Sequence, residues 1–307
     1  MDLRENEMMS AHTSLKVGGP SRFFAKAEST ADLAEARRFA QEQKIPCFVV
    51  GKGTNLLVSD KGFRGLIVQL GRAYSNLENL EGAKIRVGAA TPLARLARET
   101  INQGFAGMHK LAGIPGSLGG AIYMNAGAYG QEISQTCIEV ESVDSEGIVR
   151  TRAVADCDFG YRHSIFQELA AAGKGETITA ATFQLTEAST MGKSSADLES
   201  EMQECMAKRK ASQPLNMPNA GSTFKRLSAG ATETPTQVAP GYYIEQAGLK
   251  GYRIGGAEVS TLHANFIVNA SGATAKDIKE LSEFVQAKVA EKFGIELKRE
   301  IILLGEF

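Results

Sequence analysis

The spacing of apolar residues changes along the first quarter of the chain from a helical period to short continuous runs. Over about residues 29–43, apolar side chains recur every three or four positions, which predicts an amphipathic helix with Ser29 or Thr30 as its N-cap. The next segment, "IPCFVV" (45–50), is continuously apolar and predicts a buried strand. A second run of the same kind, "GLIVQL" (65–70), predicts another strand after a turn.

The same alternation of periods continues to about residue 185. "KIRVGAA" predicts a strand, and "TPLARLARETINQG" predicts a helix with Thr91 as N-cap and Pro92 in its first turn. Residues 137–153 predict a β-hairpin, because two strand-like runs flank the turn-forming "DSEG". Residues 176–185 alternate well enough to predict a further strand.

The pattern changes near residue 190, where a polar stretch leads into a helix with apolar residues on one side, and we place a domain boundary near 188–194. A second helix is expected over about 274–293, and the strand-like "IELKREIILLGEF" follows it. Residues 226–240 are expected to form a loop. Strands and helices mix without strict alternation, so the chain is predicted to be α+β.

Composition excludes several classes of partner. The 307 residues suggest two domains or one large one, and 43% hydrophobic residues are enough for real cores. Lys and Arg total 34 against 35 Asp and Glu, so no net field favours nucleic acid or an anionic membrane, and small-molecule partners are expected. No apolar run has the length of a signal peptide core or a membrane span, so a cytoplasmic location is expected.

The cysteines and histidines give no metal signature. Four cysteines lie far apart without a CxxC pair, and four histidines show neither HxH nor HExxH spacing. We therefore expect reduced, mostly buried thiols and no bound metal. Redox chemistry in this chain would require an organic cofactor.

Two glycine-rich stretches are candidates for binding phosphate groups. "GKGTNLL" (51–57) follows a predicted strand, and "GIPGSLGGAIYMNAGAYG" (113–130) follows a predicted helix. Glycine allows the backbone to approach a ligand closely, and clustered N–H groups bind anions. The first stretch is neither a Rossmann fingerprint, because Leu56 stands at the third glycine position, nor a Walker loop. Together they predict a dinucleotide held by backbone from two sides, and glycines that pack at sheet crossings remain the structural alternative.

Seven segments spread over nearly the whole chain form one ordered set: "HTSLKVGGPSRFF" (12–24), "GKGTNLLV" (51–58), "GIPGSLGGAIYMNAGAYGQE" (113–132), "FGYRHSIF" (159–166), "GSTFK" (221–225), "YIEQAGLKGYRIGGAEVSTLHANFIVN" (243–269) and "GIELKREIILLGE" (294–306). In this order they resemble one family, the UDP-N-acetylenolpyruvoylglucosamine reductases, which are FAD-dependent enzymes that complete UDP-N-acetylmuramate for bacterial peptidoglycan. The chain is similar to the shorter of two subtypes of this family.

The resemblance implies a fold of two domains. Residues 1–190 would form an FAD-binding domain of the vanillyl-alcohol-oxidase type, with α+β lobes at about 1–72 and 73–190. Residues 191–307 would form a C-terminal α+β domain that binds the UDP-sugar. FAD would be bound non-covalently, with NADPH as the reductant. The residues expected to touch FAD are Gly51, Gly53, Thr54, Asn55, Pro115, Gly116, Ser117, Gly120 and Asn125.

The resemblance also implies how the reaction proceeds. NADPH would reduce FAD, the flavin N5 would pass a hydride to C3 of UDP-N-acetylglucosamine enolpyruvate, and a proton would reach C2. Ser222 would be the proton donor, and Arg162 would hold the substrate carboxylate and the charge that develops there. Glu300 would be the third catalytic residue, either protonated to stabilise the intermediate or ionised to orient the serine. Lys225 and His263 would contact substrate.

Without the resemblance, the same residues have ordinary structural interpretations. Ser222 suits a turn, Arg162 an ion pair, and Glu300 a solvated run of charges. The family usually continues "GSTFK" with Asn-Pro, whereas Arg226 stands here, so that asparagine's substrate contact is missing or is replaced by the arginine. Two alternative functions remain: another FAD-dependent oxidoreductase on the same scaffold, and a non-catalytic module that binds FAD or a UDP-sugar.

Overall fold

The computed structural model describes residues 1–227 and 239–307. The loop predicted at 226–240 therefore lies mostly outside the described residues. The α-helices are α1 (Thr30–Glu42), α2 (Leu93–Asn102), α3 (Leu118–Tyr123), α4 (Ile165–Ala171), α5 (Ser195–Ser212), α6 (Pro240–Gln246) and α7 (Ala275–Phe293).

Most of the strands are short. In chain order they are β1 (Asp2–Met8), β2 (Pro20–Ala27), β3 (Cys47–Val50), β4 (Leu56–Val58), β5 (Phe63–Leu70), β6 (Leu77–Leu80), β7 (Lys84–Gly88), β8 (Phe105–Ala106), β9 (Gly127–Ala128), β10 (Gln131–Glu132), β11 (Cys137–Val143), β12 (Val149–Ala153), β13 (Thr177–Gln184), β14 (Thr186–Glu187), β15 (Arg253–Ile254), β16 (Ala257–Val259), β17 (Ile267–Asn269) and β18 (Ile302–Leu304).

The chain forms two compact units, and each of them is discontinuous in sequence. Two short N-terminal segments group with the C-terminal third, whereas the predicted domains 1–190 and 191–307 were continuous. The predicted domain and lobe boundaries stay predictions. Unit 1 comprises Met1–Glu5, Phe23–Lys52 and Gly65–Arg209; unit 2 comprises Asn6–Arg22, Gly53–Arg64 and Lys210–Phe307.

Unit 1 is built around an antiparallel five-stranded sheet with the order β12-β11-β13-β7-β6. Its central strand β13 is buried along seven of its eight residues, and these include its three threonines. In a four-stranded sheet of order β1-β2-β5-β3, β3 pairs in parallel with β5 from Cys47 opposite Leu66 to Val50 opposite Gln69. The pairing ends at Val50, and the first glycine-rich stretch begins at the next residue, Gly51.

Unit 2 packs helix α7 against the antiparallel sheet β15-β16-β17. The helix begins with a capping box between Thr274 and Asp277 and ends at Gly294 with a left-handed φ of 68°. The carboxylate of Asp60 also accepts hydrogen bonds from the N–H groups of Ala275 and Lys276, at 2.8 and 2.9 Å. The parallel pair β4 and β18 completes the unit.

Most predicted elements are confirmed, and the mixture of strands and helices confirms the α+β class. Ser29 caps α1 in a capping box with Asp32, as the pattern indicated. The prediction of Thr91 as a helix cap is wrong: Pro92 is the N-cap of α2, and the buried Thr91 hydroxyl has no hydrogen-bond partner in the described residues. The C-terminal strand is shorter than predicted because only β18 is ladder-paired.

In the described part of the chain, no α-helix combines the length and the apolar composition that a bilayer crossing requires.

Candidate functional site

The first glycine-rich stretch begins where strand β3 ends. Gly51 follows Val50 directly, and the side-chain nitrogen Nε2 of Gln69 donates a 2.9 Å hydrogen bond to the Gly51 carbonyl. The backbone N–H groups of residues 51–55 donate to no other described residue. Consecutive unpaired N–H groups are suited to an anionic ligand, because each buried donor otherwise loses a hydrogen bond.

Gly53 is buried and has a φ of +59°. A Cβ at this position would lie 2.1 Å from the carbonyl oxygen of His12 and 3.0 Å from the Thr13 Cα. The Gly53 carbonyl accepts a hydrogen bond of 3.1 Å from the Ser14 N–H, and this bond keeps Gly53 close to the backbone of His12 and Thr13. Only glycine combines the left-handed conformation with so little space. Thr54 and Asn55 follow as half-buried residues.

The second glycine-rich stretch is anchored to the end of strand β7. The N–H groups of Leu118 and Gly119 donate to the carbonyls of Thr91 and Ala89, at 2.9 and 2.8 Å. These two donors are therefore used within the protein. Three neighbouring N–H groups donate to no described residue, and they belong to positions predicted to contact FAD: Gly116, Ser117 and Gly120.

Within unit 1, the first residue of the first stretch meets the second stretch. A Cβ at Gly51 would lie 2.5 Å from the Ser117 Oγ. Pro115 and Gly120 are exposed on the second stretch, whereas Ser117 is buried. The structure therefore places Gly51 beside Ser117, with bare backbone and unpaired N–H groups, and the contact of these residues with FAD stays a prediction. This arrangement fits a pyrophosphate-bearing cofactor such as FAD.

Asn125 occupies the interior of the second stretch. Its side chain is 1% exposed and its φ is 39°. Its Nδ2 donates to the Gly160 carbonyl at 3.0 Å and lies 3.3 Å from the Glu132 carboxylate, and its Oδ1 accepts from the Ser134 N–H at 3.0 Å. The side chain thus holds two neighbouring loops, and a direct contact between Asn125 and FAD stays a prediction.

Arg162 adopts a left-handed φ of 54°, which is unfavourable for a residue with a side chain. Its Nη2 donates to the Gly127 carbonyl at 3.0 Å, and its Nη1 donates to the Asn125 carbonyl at 3.4 Å. The guanidinium carbon lies 5.1 Å from the ring centroid of Tyr161, and Gln167 Nε2 donates to the Arg162 carbonyl at 3.1 Å. The predicted catalytic arginine is therefore fixed against the second glycine-rich stretch.

Ser222 is half-buried at the start of a segment that is fixed on both sides in unit 2. The side chain of buried Asn265 accepts from the Phe224 N–H at 3.0 Å and donates to the Phe224 carbonyl at 2.9 Å. The Asn265 carbonyl accepts from the Thr223 N–H at 2.7 Å. Gly221, which precedes Ser222 in the motif, has a left-handed φ of 78°.

Glu300 is attached to the same segment. Its N–H donates to the carbonyl of Thr223, the residue after Ser222, at 2.8 Å. The Nδ2 of Asn55 donates to the Glu300 carbonyl at 3.1 Å, and the Asn55 carbonyl accepts from the Ile302 N–H at 3.0 Å. The structure thus joins three predicted site segments, those of Asn55, Ser222 and Glu300, through their backbones.

His263 and Lys225 lie beside this arrangement in unit 2. The Lys225 N–H donates to the Lys298 carbonyl at 2.8 Å. His263 Nδ1 accepts a 3.2 Å hydrogen bond from the Asn265 N–H, which places the ring proton on Nε2 when the imidazole is neutral. Burial lowers the pKa of His263, so the neutral form is favoured and Nε2 is the donor left for a ligand.

A group of possible metal ligands lies next to Arg162. Asp158, His163 and Glu168 each place one ligand atom within 4.8 Å of the others. His163 Nε2 lies 3.2 Å from Asp158 Oδ2 and 3.4 Å from Glu168 Oε1, so the half-buried histidine already pairs with the two exposed acids. The expectation that no metal is bound stays a prediction.

The two buried cysteines carry unreactive thiols. All four are free, and Cys137 and Cys157 are buried. Burial raises the pKa of Cys137 to about 12 and that of Cys157 to about 11. Both thiols are therefore protonated and weakly nucleophilic at neutral pH.

Sequence reasoning missed two residues that hold the candidate site in place. Asn265 fixes the segment that follows Ser222, and Gln167 fixes the backbone of Arg162. A polar asparagine inside the apolar run "HANFIV" was an available signal for the first. No comparable signal marked the glutamine, which lies on the short helix α4.

Two family models match the chain. The FAD binding domain matches residues 21–152, and the C-terminal domain of UDP-N-acetylenolpyruvoylglucosamine reductase matches residues 213–304. The chain therefore carries an FAD-binding domain, and FAD is the organic cofactor that the sequence led us to expect.

Curated relatives extend the similarity over the full length. The UDP-N-acetylenolpyruvoylglucosamine reductase of Heliobacterium modesticaldum is 42% identical over 98% of this chain and 90% of its own length. The enzyme of the same name from Caldanaerobacter subterraneus is 41% identical over 98% and 93%. The crystal structure of UDP-N-acetylenolpyruvylglucosamine reductase from Thermus caldophilus is 31% identical, with a TM-score of 0.79 over 99% of this chain and all of that chain. The chain belongs to the UDP-N-acetylenolpyruvoylglucosamine reductase family.

Proposed function

We propose that this protein reduces UDP-N-acetylglucosamine enolpyruvate to UDP-N-acetylmuramate, with NADPH as the reductant, FAD as the cofactor and the cytoplasm as its location. The observation that carries the proposal is the backbone connection among the segments of Asn55, Ser222 and Glu300. These hydrogen bonds hold the backbones of the segments that carry Ser222 and Glu300 in a fixed arrangement, which a positioned acid and its partner require. Family membership supports the same reaction.

The chain's own contribution to cofactor binding is backbone. The unpaired N–H groups of unit 1, at 51–52 and at Gly116, Ser117 and Gly120, would hold the cofactor's phosphate oxygens. When bound, FAD supplies hydride transfer from NADPH to C3 of the enolpyruvyl group. Every remaining requirement of the reaction falls on side chains of the protein.

Those side chains have separable tasks. Addition of a hydride to C3 leaves negative charge on C2 and on the adjacent carboxylate, so an acid and a cation are required. Ser222 would give its hydroxyl proton to C2, and Arg162 would hold the carboxylate with its planar fork. Glu300 would orient the serine or stabilise the enolic charge, and His263 Nε2 and Lys225 would bind the substrate.

The experiment separates the two half-reactions under anaerobic conditions. In Ser222→Ala, NADPH is expected to bleach the flavin at the wild-type rate, because the serine has no task in that step. Reoxidation by UDP-N-acetylglucosamine enolpyruvate is expected to slow by about 10²–10⁴-fold, the usual contribution of a positioned acid. Ser271→Ala, at an exposed position of unit 2, is the matched control and is expected to leave both rates unchanged.

Three results would contradict the proposal. A wild-type protein that takes up no FAD would rule out any flavin chemistry. A wild-type flavin that NADPH reduces but this substrate does not reoxidise would indicate another oxidoreductase on the same scaffold. Normal reoxidation in Ser222→Ala would remove the serine from the role of acid.

A further inference from the structure

Arg209 lies near the C-terminal end of helix α5 in unit 1, beside the start of the second glycine-rich stretch. A Cβ at Gly113 would lie 3.1 Å from the Arg209 Cδ. The missing side chain at Gly113 therefore makes room for the arginine stem, and no positive φ explains this glycine. The contact places an arginine side chain against the loop that carries the unpaired N–H groups.

The charge of this arginine has no acidic partner in the described residues. Two other basic side chains of α5 and its entry have acidic partners: Lys208 pairs with Glu204 at 3.9 Å, and Lys193 pairs with Glu201. For the half-buried Arg209, by contrast, no hydrogen bond or ion pair occurs among residues 1–227 and 239–307. A partly desolvated cation without a counter-charge is costly, so a bound anion would stabilise it.

The electrostatic surroundings of the Arg209 guanidinium also favour a bound anion. Burial lowers the pKa of Arg209, and the phenol of Tyr129 is the one titratable group in the described chain that counteracts the effect. Tyr129 lies at the far end of the same glycine-rich stretch, with a left-handed φ of 52°. Arg209 thus contacts the first residue of the stretch and lies within electrostatic range of its end.

We infer that Arg209 binds a phosphate group of a nucleotide diphosphate that lies on residues 113–130. A planar guanidinium matches two phosphate oxygens, and the unpaired N–H groups of Gly116, Ser117 and Gly120 belong to the same loop. The choice of ligands rests on the proposed function, which gives three sources of this chemistry: FAD, NADPH and the UDP-sugar substrate.

The test compares equilibrium dissociation constants of Arg209→Gln and wild type for the three ligands separately. FAD is titrated into apoprotein by flavin fluorescence; NADP⁺ and the UDP-sugar substrate are titrated calorimetrically into the oxidised holoprotein. The dissociation constant of at least one ligand is expected to rise about 10- to 100-fold, the usual loss for hydrogen bonds to charged groups. The affected ligand identifies the source of the phosphate.

Two further variants make the test specific. Lys208→Gln removes the same charge from a side chain that is 69% exposed, and it is expected to change each constant by less than twofold. Gly113→Ala keeps the arginine but displaces its stem, so the same ligand's constant is expected to rise several-fold. If Arg209→Gln does not fold, Arg209→Lys replaces it, with a smaller rise because lysine lacks the fork.

Unchanged constants for all three ligands in the folded Arg209 variant would overturn the inference, as would a loss in Lys208→Gln of equal size. Because the constants are measured at equilibrium, they stay informative even if the wild-type protein shows no turnover. A failure of the proposed reaction and a failure of the Arg209 site are thereby distinguishable.

Discussion

Replacement of Gly53 by alanine tests whether the first glycine-rich stretch depends on bare backbone. The left-handed φ of 59° costs a residue with a Cβ about 1–2 kcal/mol. The added Cβ would also lie 2.1 Å from the His12 carbonyl oxygen, which is backbone and has no rotamer to change. Such overpacking typically costs about 1–3 kcal/mol, so the free energy of unfolding is expected to fall by about 2–5 kcal/mol.

Urea unfolding of apoprotein measures this loss without the contribution of a bound ligand. Gly272→Ala is the matched control in the same unit, because its φ is 64° and no atom lies within 4 Å of the added Cβ. The control is expected to lose only the conformational part, about 1–2 kcal/mol. If the two alanine variants are equally stable, the close approach at His12 contributes nothing and the reasoning is refuted.

Three further variants test the supporting contacts and a buried histidine. Arg162→Lys is expected to lower the rate of flavin reoxidation by substrate at least about tenfold, with NADPH bleaching unchanged, because lysine cannot reproduce the forked contact; equal rates would remove the charge-stabilising role. Asn125→Ala is expected to lower the free energy of urea unfolding by about 1–3 kcal/mol, since the half-buried Gly160 carbonyl and Ser134 N–H lose their partner; a stability equal to wild type would contradict this. Burial lowers the pKa of His109 below its unfolded value of about 6.5, against a smaller opposite effect of its neighbour Glu201. The stabilisation is therefore present above that unfolded pKa and is lost as pH falls through the folded pKa, so His109→Gln is expected to flatten thermal stability between about pH 7 and 5; parallel curves would show that His109 does not contribute.

Local patterns were sufficient wherever one segment determines its own structure. The capping boxes of α1 and α7 lie within four residues, so Ser29 and Thr274 were identifiable from sequence. The prediction of Thr91 as a helix cap failed because a long-range contact involves the same residue. The Thr91 carbonyl accepts a hydrogen bond from the Leu118 N–H in the second glycine-rich stretch, and Pro92 is the N-cap of the helix instead. A contact with a residue 27 positions away leaves no local signal.

The site was predictable as a set of residue types but not as a set of contacts. Asn265 and Gln167 stabilise backbone groups 41 and 5 residues away, and only the fold determines those pairings. The discontinuous units have the same origin, because segments 6–22 and 53–64 join the C-terminal third through long-range pairs such as β4 with β18. A periodic pattern of apolar residues shows which face of a helix or strand is buried. It does not show which distant segment covers that face.

Two asparagines that were predicted to contact the cofactor also form hydrogen bonds with predicted catalytic residues. The sequence motifs did not indicate these hydrogen bonds. Asn55 donates its amide to the Glu300 carbonyl, and the Asn125 carbonyl accepts from Arg162. Each loop that would hold phosphate by backbone N–H groups thus also fixes a predicted catalytic residue by a separate polar atom. A ligand that orders either loop would therefore also order Glu300 or Arg162, because the loop and the residue share a hydrogen bond. The polar atom differs between the two loops: at Asn55 it is the side-chain amide, and at Asn125 it is the backbone carbonyl.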